Sequence, residues 1–240
     1  MNPVTIAPIR AFKDNYIWCL RRGRSAVVVD PGDAAPVLDY LDAQSLQLEA
    51  ILATHHHADH VGGIPDLLAK YNVPVFGPRR EAIPGITRKL AEEDEIEVPG
   101  VDMHMRILDI PAHTAGHIAY FGEGVLFSGD TLFSCGCGRL FEGTPAQMHS
   151  SLSKLAALPP ETLVFCGHEY TLSNLRFAAA ADPANPAIGE REQAARAALD
   201  RGNPSLPSTL KDELAANPFL RTREPALIES ASRFAGRTLT

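Results

Sequence analysis

The reading turns on residues 51–63, ILATHHHADHVGG, where four of the chain's nine histidines fall between His55 and His60 with Asp59 among them. Imidazoles this close repel one another when protonated and make poor core material when neutral, so packing alone gives no reason for them. His55 and His57 are two apart, and in an extended segment residues i and i+2 point the same way. They can share one metal ion while His56 points elsewhere. A helix starting near Ala58 would carry Asp59 and His60 to a neighbouring position, within reach of a second ion. Imidazole plus carboxylate without thiolate suits zinc, iron or manganese.

Further ligands have to come from distant parts of the chain, and strand ends supply them. LEAILAT (48–54) is an apolar run that leads into the cluster. MHMRILDIPAH (103–113), GVLFSGD (124–130) and TLVFCGH (162–168) repeat that design, each ending on a residue with ligand chemistry: His113, Asp130 and His168. Asp130, with two carboxylate oxygens, is suited to bridge two ions. SAVVVDPGD (25–33) is a β-branched strand closed by a turn at Asp30. GGIPDLLAKYN (62–72) and TPAQMHSSLSKLAAL (144–158) show helical spacing, the second with Thr144 as N-cap and Pro145 at the first helical position. After residue 170 the chain turns Ala- and Leu-rich between Pro, Asn and Gly breaks, which predicts a helical C-terminal part. The remaining histidines read differently: His104 and His149 as surface residues, His56 as structural, and His117 as either structural or supporting.

Composition fits a globular protein and argues against several other classes. A 240-residue chain can bury a full core as one large domain or two modest ones, and 45% hydrophobic with 21% charged residues argues against disorder. A net charge of −7 without a basic stripe argues against nucleic-acid binding. No apolar run approaches the ~20 residues that span a bilayer, and MNPVTIAPIRAFKDNY lacks the pattern of a secretory signal, so a cytoplasmic location is expected. Cys19, Cys135, Cys137 and Cys166 are too few and too scattered for a disulfide scaffold, and the C-x-C pair in SCGCGR has no second pair to complete a zinc site.

HHHADH (55–60), AHTAGH (112–117), SGD (128–130) and GHEYT (167–171) together resemble the metallo-β-lactamase superfamily. Within it, FKDNYIW (12–18), DPGD (30–33), TLFSCGCGRLFEGTPAQM (131–148) and CGHEYTLSNLRFA (166–178) resemble glyoxalase II, the hydroxyacylglutathione hydrolases. The resemblance implies an α/β (α+β) fold, a four-layer αβ/βα sandwich. It places a catalytic domain over residues 1–170 and a helical substrate-binding domain over 171–240.

It also implies two divalent ions, zinc foremost with iron or manganese as alternatives. His55, His57 and His113 would hold the first; Asp59, His60 and His168 the second; and Asp130 would bridge, with Asp30 buttressing the cluster from behind. Asp59 and Asp130 would also orient a hydroxide shared by ions about 3.5 to 4 Å apart. The implied reaction is hydrolysis of S-(2-hydroxyacyl)glutathione, S-D-lactoylglutathione in particular, to glutathione and a 2-hydroxy acid such as D-lactate, the second step of methylglyoxal detoxification. Arg139 and Tyr170 match the family's substrate-binding positions, and Phe141 stands where some members have Tyr. The expected partner is a small glutathione thioester, with no nucleic acid or membrane, and the chain is expected to act as a monomer. Where family members carry a basic R-x-x-K stretch near the C-terminus, this chain reads SRFAGRTLT (232–240). Arg221, Arg223 or Arg237 would then have to substitute, or glutathione binding would be weaker and KM higher, or the preferred thioester would differ. The rival readings are a single-iron persulfide dioxygenase, a lactonase or β-lactamase, and a binding module that has lost catalysis.

Overall fold

The computed structural model describes residues 3–239. The chain begins with strands β1 (Thr5–Ala11), β2 (Asn15–Arg22) and β3 (Ser25–Val29), followed by helix α1 (Ala34–Ala43) and β4 (Gln47–Leu52). Helices α2 (Ala58–Val61) and α3 (Ile64–Lys70) precede β5 (Val75–Pro78) and β6 (Arg88–Leu90). These six strands form one sheet in chain order, antiparallel through β3 and parallel from β3 to β6. The switch to parallel pairing follows from α1, which crosses over between β3 and β4. Pro8 sits in β1, an edge strand, where a missing N–H costs no ladder bond.

A second sheet is built from β7 (Glu95–Val98), β8 (Met103–Asp109), β9 (Ile118–Gly122) and β10 (Val125–Gly129). The chain then makes a small hairpin, β11 (Leu132–Phe133) and β12 (Gly136–Cys137), and helix α4 (Pro145–Ala156), before β13 (Leu163–Cys166) pairs parallel to β10. Thr144 caps α4 in a capping box with Gln147, as its sequence predicts. The C-terminal part holds α5 (Thr171–Ala181), α6 (Pro186–Leu199), β14 (Ser208–Thr209), α7 (Leu210–Ala216) and α8 (Pro225–Ala235). Strand β14 adds to the second sheet beside β13, so the helical part is stitched onto that sheet.

Burial patterns explain the layering. The β-branched run of β3 is buried on both faces: Val27 and Val29 face the second sheet, while Ala26 and Val28 face helices. The central core joins Trp18, Leu20 and Leu52 of the first sheet to Met105, Tyr120 and Phe127 of the second. Val37 and Leu41 of α1, with Ile64 and Leu67 of α3, cover the outer face of the first sheet. Met148, Leu152 and Leu155 of α4 cover the outer face of the second with Leu126 and Val164. The order helix, sheet, sheet, helix is the four-layer αβ/βα sandwich. Two buried hydrogen bonds tie the sheets together: Trp18 Nε1 donates to Cys166 O at 2.9 Å and Tyr120 Oη to Ala53 O at 2.9 Å. Among the described residues no helix is long and apolar enough to cross a membrane.

Candidate metal centre

The C-terminal ends of β3, β4, β10 and β13, together with the loop after β8, meet at one edge of the sandwich and carry Asp30, the histidine cluster, Asp130, His168 and His113 respectively. Open sheets leave a crevice at such strand ends. His57 is the N-cap of α2, and Asp59 and His60 lie within that short helix, which separates them from His55. Two backbone segments must touch for this to happen. A Cβ on Gly32 would stand 1.9 Å from Asp59 O, so only glycine lets the turn after β3 lie under the metal-binding loop.

The side chains converge into two groups. One atom each from His55, His57 and His113 lie within 4.8 Å of one another, and the same holds for Asp59, His60 and His168. Asp130 lies between the two groups: Oδ2 is 3.5 Å from His113 Nε2 and 3.2 Å from His168 Nε2, and Oδ1 is 3.4 Å from His60 Nε2. Outer partners fix most of the rings. His113 Nδ1 donates to Arg139 O at 2.8 Å, His168 Nδ1 to Asp14 Oδ1 at 3.0 Å and His60 Nδ1 to Asp30 Oδ2 at 3.1 Å. His55 Nδ1 donates to Thr54 Oγ1 at 3.0 Å, because that hydroxyl gives its own proton to Asp30 Oδ2 at 2.7 Å. With the outer nitrogens carrying the protons, the inner nitrogens carry lone pairs.

Those lone pairs face one another across short gaps: His55 Nε2 to His57 Nδ1 at 3.2 Å, His113 Nε2 to His57 Nδ1 at 3.0 Å, and His60 Nε2 to His168 Nε2 at 3.3 Å. Buried Asp130 Oδ1 takes no hydrogen bond. Converging lone pairs beside an unpartnered carboxylate oxygen fit a bound cation and little else, so the donor set passes the test for a metal site. A third grouping, Asp30 with His55 and His60, is also compact. Both Asp30 oxygens already accept from Thr54, from its N–H at 2.7 Å and from its hydroxyl, which makes Asp30 the support behind His60.

The polypeptide's own charges polarise this cluster. Burial would raise the Asp130 carboxyl, but His60, His168 and His55 together hold it well below the usual carboxylate range. Without a cation, burial would lower His60, yet Asp130 and Asp30 carry it well above an ordinary histidine, so an ion bound there would take the place of a proton on Nε2. Burial and its neighbours His60 and His117 keep His55 well below its ordinary value. Buried His117 is pushed down to about 3 by burial and His113, and its neutral Nε2 accepts the Asp130 N–H at 3.1 Å. His117 therefore braces the backbone that presents Asp130.

Several supporting residues have no role predicted from the sequence, although Asp14 and Asn15 lie within FKDNYIW. Asp14 orients His168, and Asn15 Nδ2 donates to Asp59 Oδ2 at 3.0 Å. His56 lies 3.0 Å from Glu81 and 3.4 Å from Glu142, and those glutamates accept the Gly116 and Ala115 N–H groups of the loop that bears His113 and His117. His56 is thus structural, and His104 and His149 are exposed. The four cysteines are free, and burial pushes their thiols up to about 12, which removes them as nucleophiles.

The centre opens into a pocket of about 470 Å³ whose remaining walls include Phe133, Arg139, Phe141 and Tyr170. The Tyr170 ring stacks on His168 with centroids 4.6 Å apart, and its hydroxyl is pushed up to about 12 by burial and by Asp14, Asp130 and Asp59, so it stays a proton donor. The Arg139 guanidinium lies 5.5 Å from the Phe141 ring centroid, and Phe141 packs edge-on against His57 and His113. Arg221 pairs with Asp182 and lies outside the pocket lining, as do Arg223 and Arg237. A larger groove of about 650 Å³ between α5 and α8 is apolar and holds no candidate ligand.

A four-layer sandwich with a three-histidine cluster and an Asp/His cluster at its strand ends defines a protein of the metallo-β-lactamase class with a metal site. The superfamily model matches residues 12–168, and a model described as hydroxyacylglutathione hydrolase C-terminus matches residues 169–238. The chain is 54% identical over 237 residues to the hydroxyacylglutathione hydrolase of Nitrosomonas europaea, covering 99% of this chain and 90% of that protein. It is 57% identical over 236 residues to that of Alkalilimnicola ehrlichii, covering 98% and 92%. The chain belongs to the hydroxyacylglutathione hydrolase (glyoxalase II) family of the metallo-β-lactamase superfamily. Among solved structures, the ETHE1 protein of Myxococcus xanthus shares the fold at a TM-score of 0.69 and 23% identity, covering 96% of this chain and 90% of that one. A relative solved in a di-iron-bound form gives a TM-score of 0.55 at 31% identity, covering 70% of this chain and 92% of its own.

Proposed function

We propose that this protein hydrolyses S-(2-hydroxyacyl)glutathione thioesters, S-D-lactoylglutathione foremost, at a site holding two divalent ions, zinc first among them. The observation that carries the reading is Asp130, one carboxylate in contact with His113 of one cluster and with His60 and His168 of the other. His55, His57 and His113 would hold one ion, Asp59, His60 and His168 the other, with Asp130 between. Bound there, the ions supply Lewis acidity, which lowers the pKa of water and polarises a carbonyl oxygen.

The chain's own residues do the rest. Asp59 and Asp130 are both held below the ordinary carboxylate range and so remain ionised to orient the attacking water, whose proton passes to solvent. The C–S bond then breaks and sulfur leaves as thiolate. A thiol pKa of about 8.5 makes a dedicated acid unnecessary, and none is needed from the inert cysteines. The Arg139 fork would bind a carboxylate or backbone carbonyl of the glutathione moiety, the Tyr170 hydroxyl would donate to its backbone, and Phe133 and Phe141 would shield the reacting centre from bulk water. Residues 1–170 would then be the catalytic part and 171–240 the part that shapes the substrate side.

The test is steady-state hydrolysis of S-D-lactoylglutathione before and after chelation, then after metal is restored. Loss and recovery of turnover, with Arg139→Gln raising KM at unchanged metal content, supports the reading. Turnover that survives complete chelation overturns it.

A further inference from the structure

We propose that Glu213 of α7 and Asn217 at its C-cap are positioning residues for the substrate. They hold the β11–β12 hairpin in the one backbone arrangement that aims Phe133 and, just beyond it, Arg139 and Phe141 into the pocket. This rests on the thioester-hydrolase reading above.

Residues 133–136 are gripped from three helices. Asn217 Nδ2 donates to Phe133 O at 3.2 Å and to Gly136 O at 2.9 Å. Glu213 Oε2 accepts the Cys135 N–H at 2.7 Å and is itself 3.0 Å from Asn217 Nδ2. Arg191 of α6 donates to Ser134 Oγ at 3.0 Å, and Asn174 of α5 to Ser134 O at 3.0 Å. The Asn174 side chain lies so close that a Cβ on Gly136 would be 2.5 Å from its Cγ.

The hairpin needs this help. Cys135 has φ +55, a left-handed conformation that costs a residue with a Cβ, and it persists only where its surroundings over-determine it. Glu213 is fully buried, without a direct salt bridge among the described residues. A buried carboxyl is an expensive way to hold two helices together, which an apolar pair would do better, but it specifies one register for the N–H it accepts. What the hairpin then presents is substrate-facing: the Phe133 ring sits edge-on to Tyr170 and His168, with centroids 5.3 and 5.9 Å apart.

The metal side of the same loop is anchored separately. Asp130 N–H goes to His117, Thr131 N–H to Ser128 O at 3.1 Å, and Gly138 N–H to Thr131 O at 3.1 Å. Loosening the α7 contacts therefore moves the Phe133–Cys137 part of the wall first, while the Gly138–Thr131 bond holds the backbone beside Arg139, whose carbonyl orients His113.

The experiment compares Glu213→Ala, Glu213→Gln and Asn217→Ala in the full chain, reading KM and kcat for S-D-lactoylglutathione, metal content, and amide hydrogen exchange at residues 135–138. Both alanine variants are expected to raise KM about tenfold, as one unpaired buried polar group would, with kcat and metal content near wild type and faster exchange within residues 135–138, at Cys135 itself in Glu213→Ala. Glu213→Gln keeps an acceptor for that N–H and is expected to restore KM. Unchanged KM and exchange in Asn217→Ala and Glu213→Ala overturns the proposal, as does a fall of kcat and metal content in step with KM. If Glu213→Ala does not fold, Asn217→Ala and Glu213→Gln carry the test, since Asn217→Ala leaves the Glu213–Cys135 bond intact. Absence of wild-type turnover overturns the functional reading instead, and the exchange data then decide the hairpin claim alone.

Discussion

Asp30→Asn isolates the support behind the metal centre because it changes charge and proton placement without changing volume. Asp30 accepts three donors: Thr54 N–H at 2.7 Å, the Thr54 hydroxyl at 2.7 Å and His60 Nδ1 at 3.1 Å. An asparagine can offer its carbonyl to one side only. The Thr54 N–H is fixed in the backbone and buried, so the carbonyl settles there and the amide NH2 turns towards His60 Nδ1. Two donors then oppose each other, and His60 relieves the clash by moving its proton to Nε2. That nitrogen faces Asp59, Asp130 and His168, and once protonated it cannot accept a cation. Loss of such an outer partner costs about 10–100-fold in metal affinity, or about 1.4–2.7 kcal/mol. The assay is metal content per chain at equilibrium with a competing chelator, with a thermal melt on the same sample. We expect the variant to fold and to give up one ion at chelator concentrations that leave wild type with both. An Asp30→Asn protein that keeps both ions with wild-type affinity would refute the inferred proton placement.

Other perturbations probe separate links. Tyr170→Phe removes one neutral donor and should raise KM about 2–13-fold, the equivalent of about 0.5–1.5 kcal/mol, with kcat and metal content unchanged in steady-state kinetics. Gly32→Ala drives a Cβ onto Asp59 O; it should destabilise by about 1–3 kcal/mol or more in denaturant unfolding and deplete metal. Burial raises the Glu213 carboxyl above its ordinary 4.5, against the pull of the Cys135 N–H. The folded state therefore binds that proton more tightly than the unfolded chain, and Glu213's contribution falls as pH rises from about 4.5 through its folded value. The stability of Glu213→Gln relative to wild type should accordingly rise with pH in that window, measured by urea unfolding at several pH values; a constant difference would contradict it. Leu20→Ala, in the core between the sheets with no exposed surface, should cost about 2–5 kcal/mol in the same assay.

Much of this was legible in the sequence because the relevant signals are local. The H-x-H-x-D-H spacing, the apolar strands that lead to Asp130 and His168, and the Thr144 cap each occupy a few consecutive residues and appear in the fold where the pattern places them, whereas β8 stops at Asp109 and leaves His113 in the following loop. The helical character beyond residue 170 is likewise carried by composition. The short β5, β6 and β7 and the two-residue β14 give too few alternations to register as strands, and Pro8 obscures β1. The supports escape for a different reason. Glu213 meets Cys135 78 residues away and Asp14 meets His168 154 residues away. No periodicity joins such pairs, and each residue alone reads as an ordinary surface charge. His56 shows the same limit in reverse: it stands inside the strongest motif in the chain, yet only the fold reveals that it contacts Glu81 and Glu142.

The most direct test is hydrolysis of S-D-lactoylglutathione by the purified protein, with metal content determined on the same sample. Turnover accompanied by about two ions per chain, as a two-metal site requires, is the predicted result. A folded protein carrying both ions that leaves the thioester intact would contradict it.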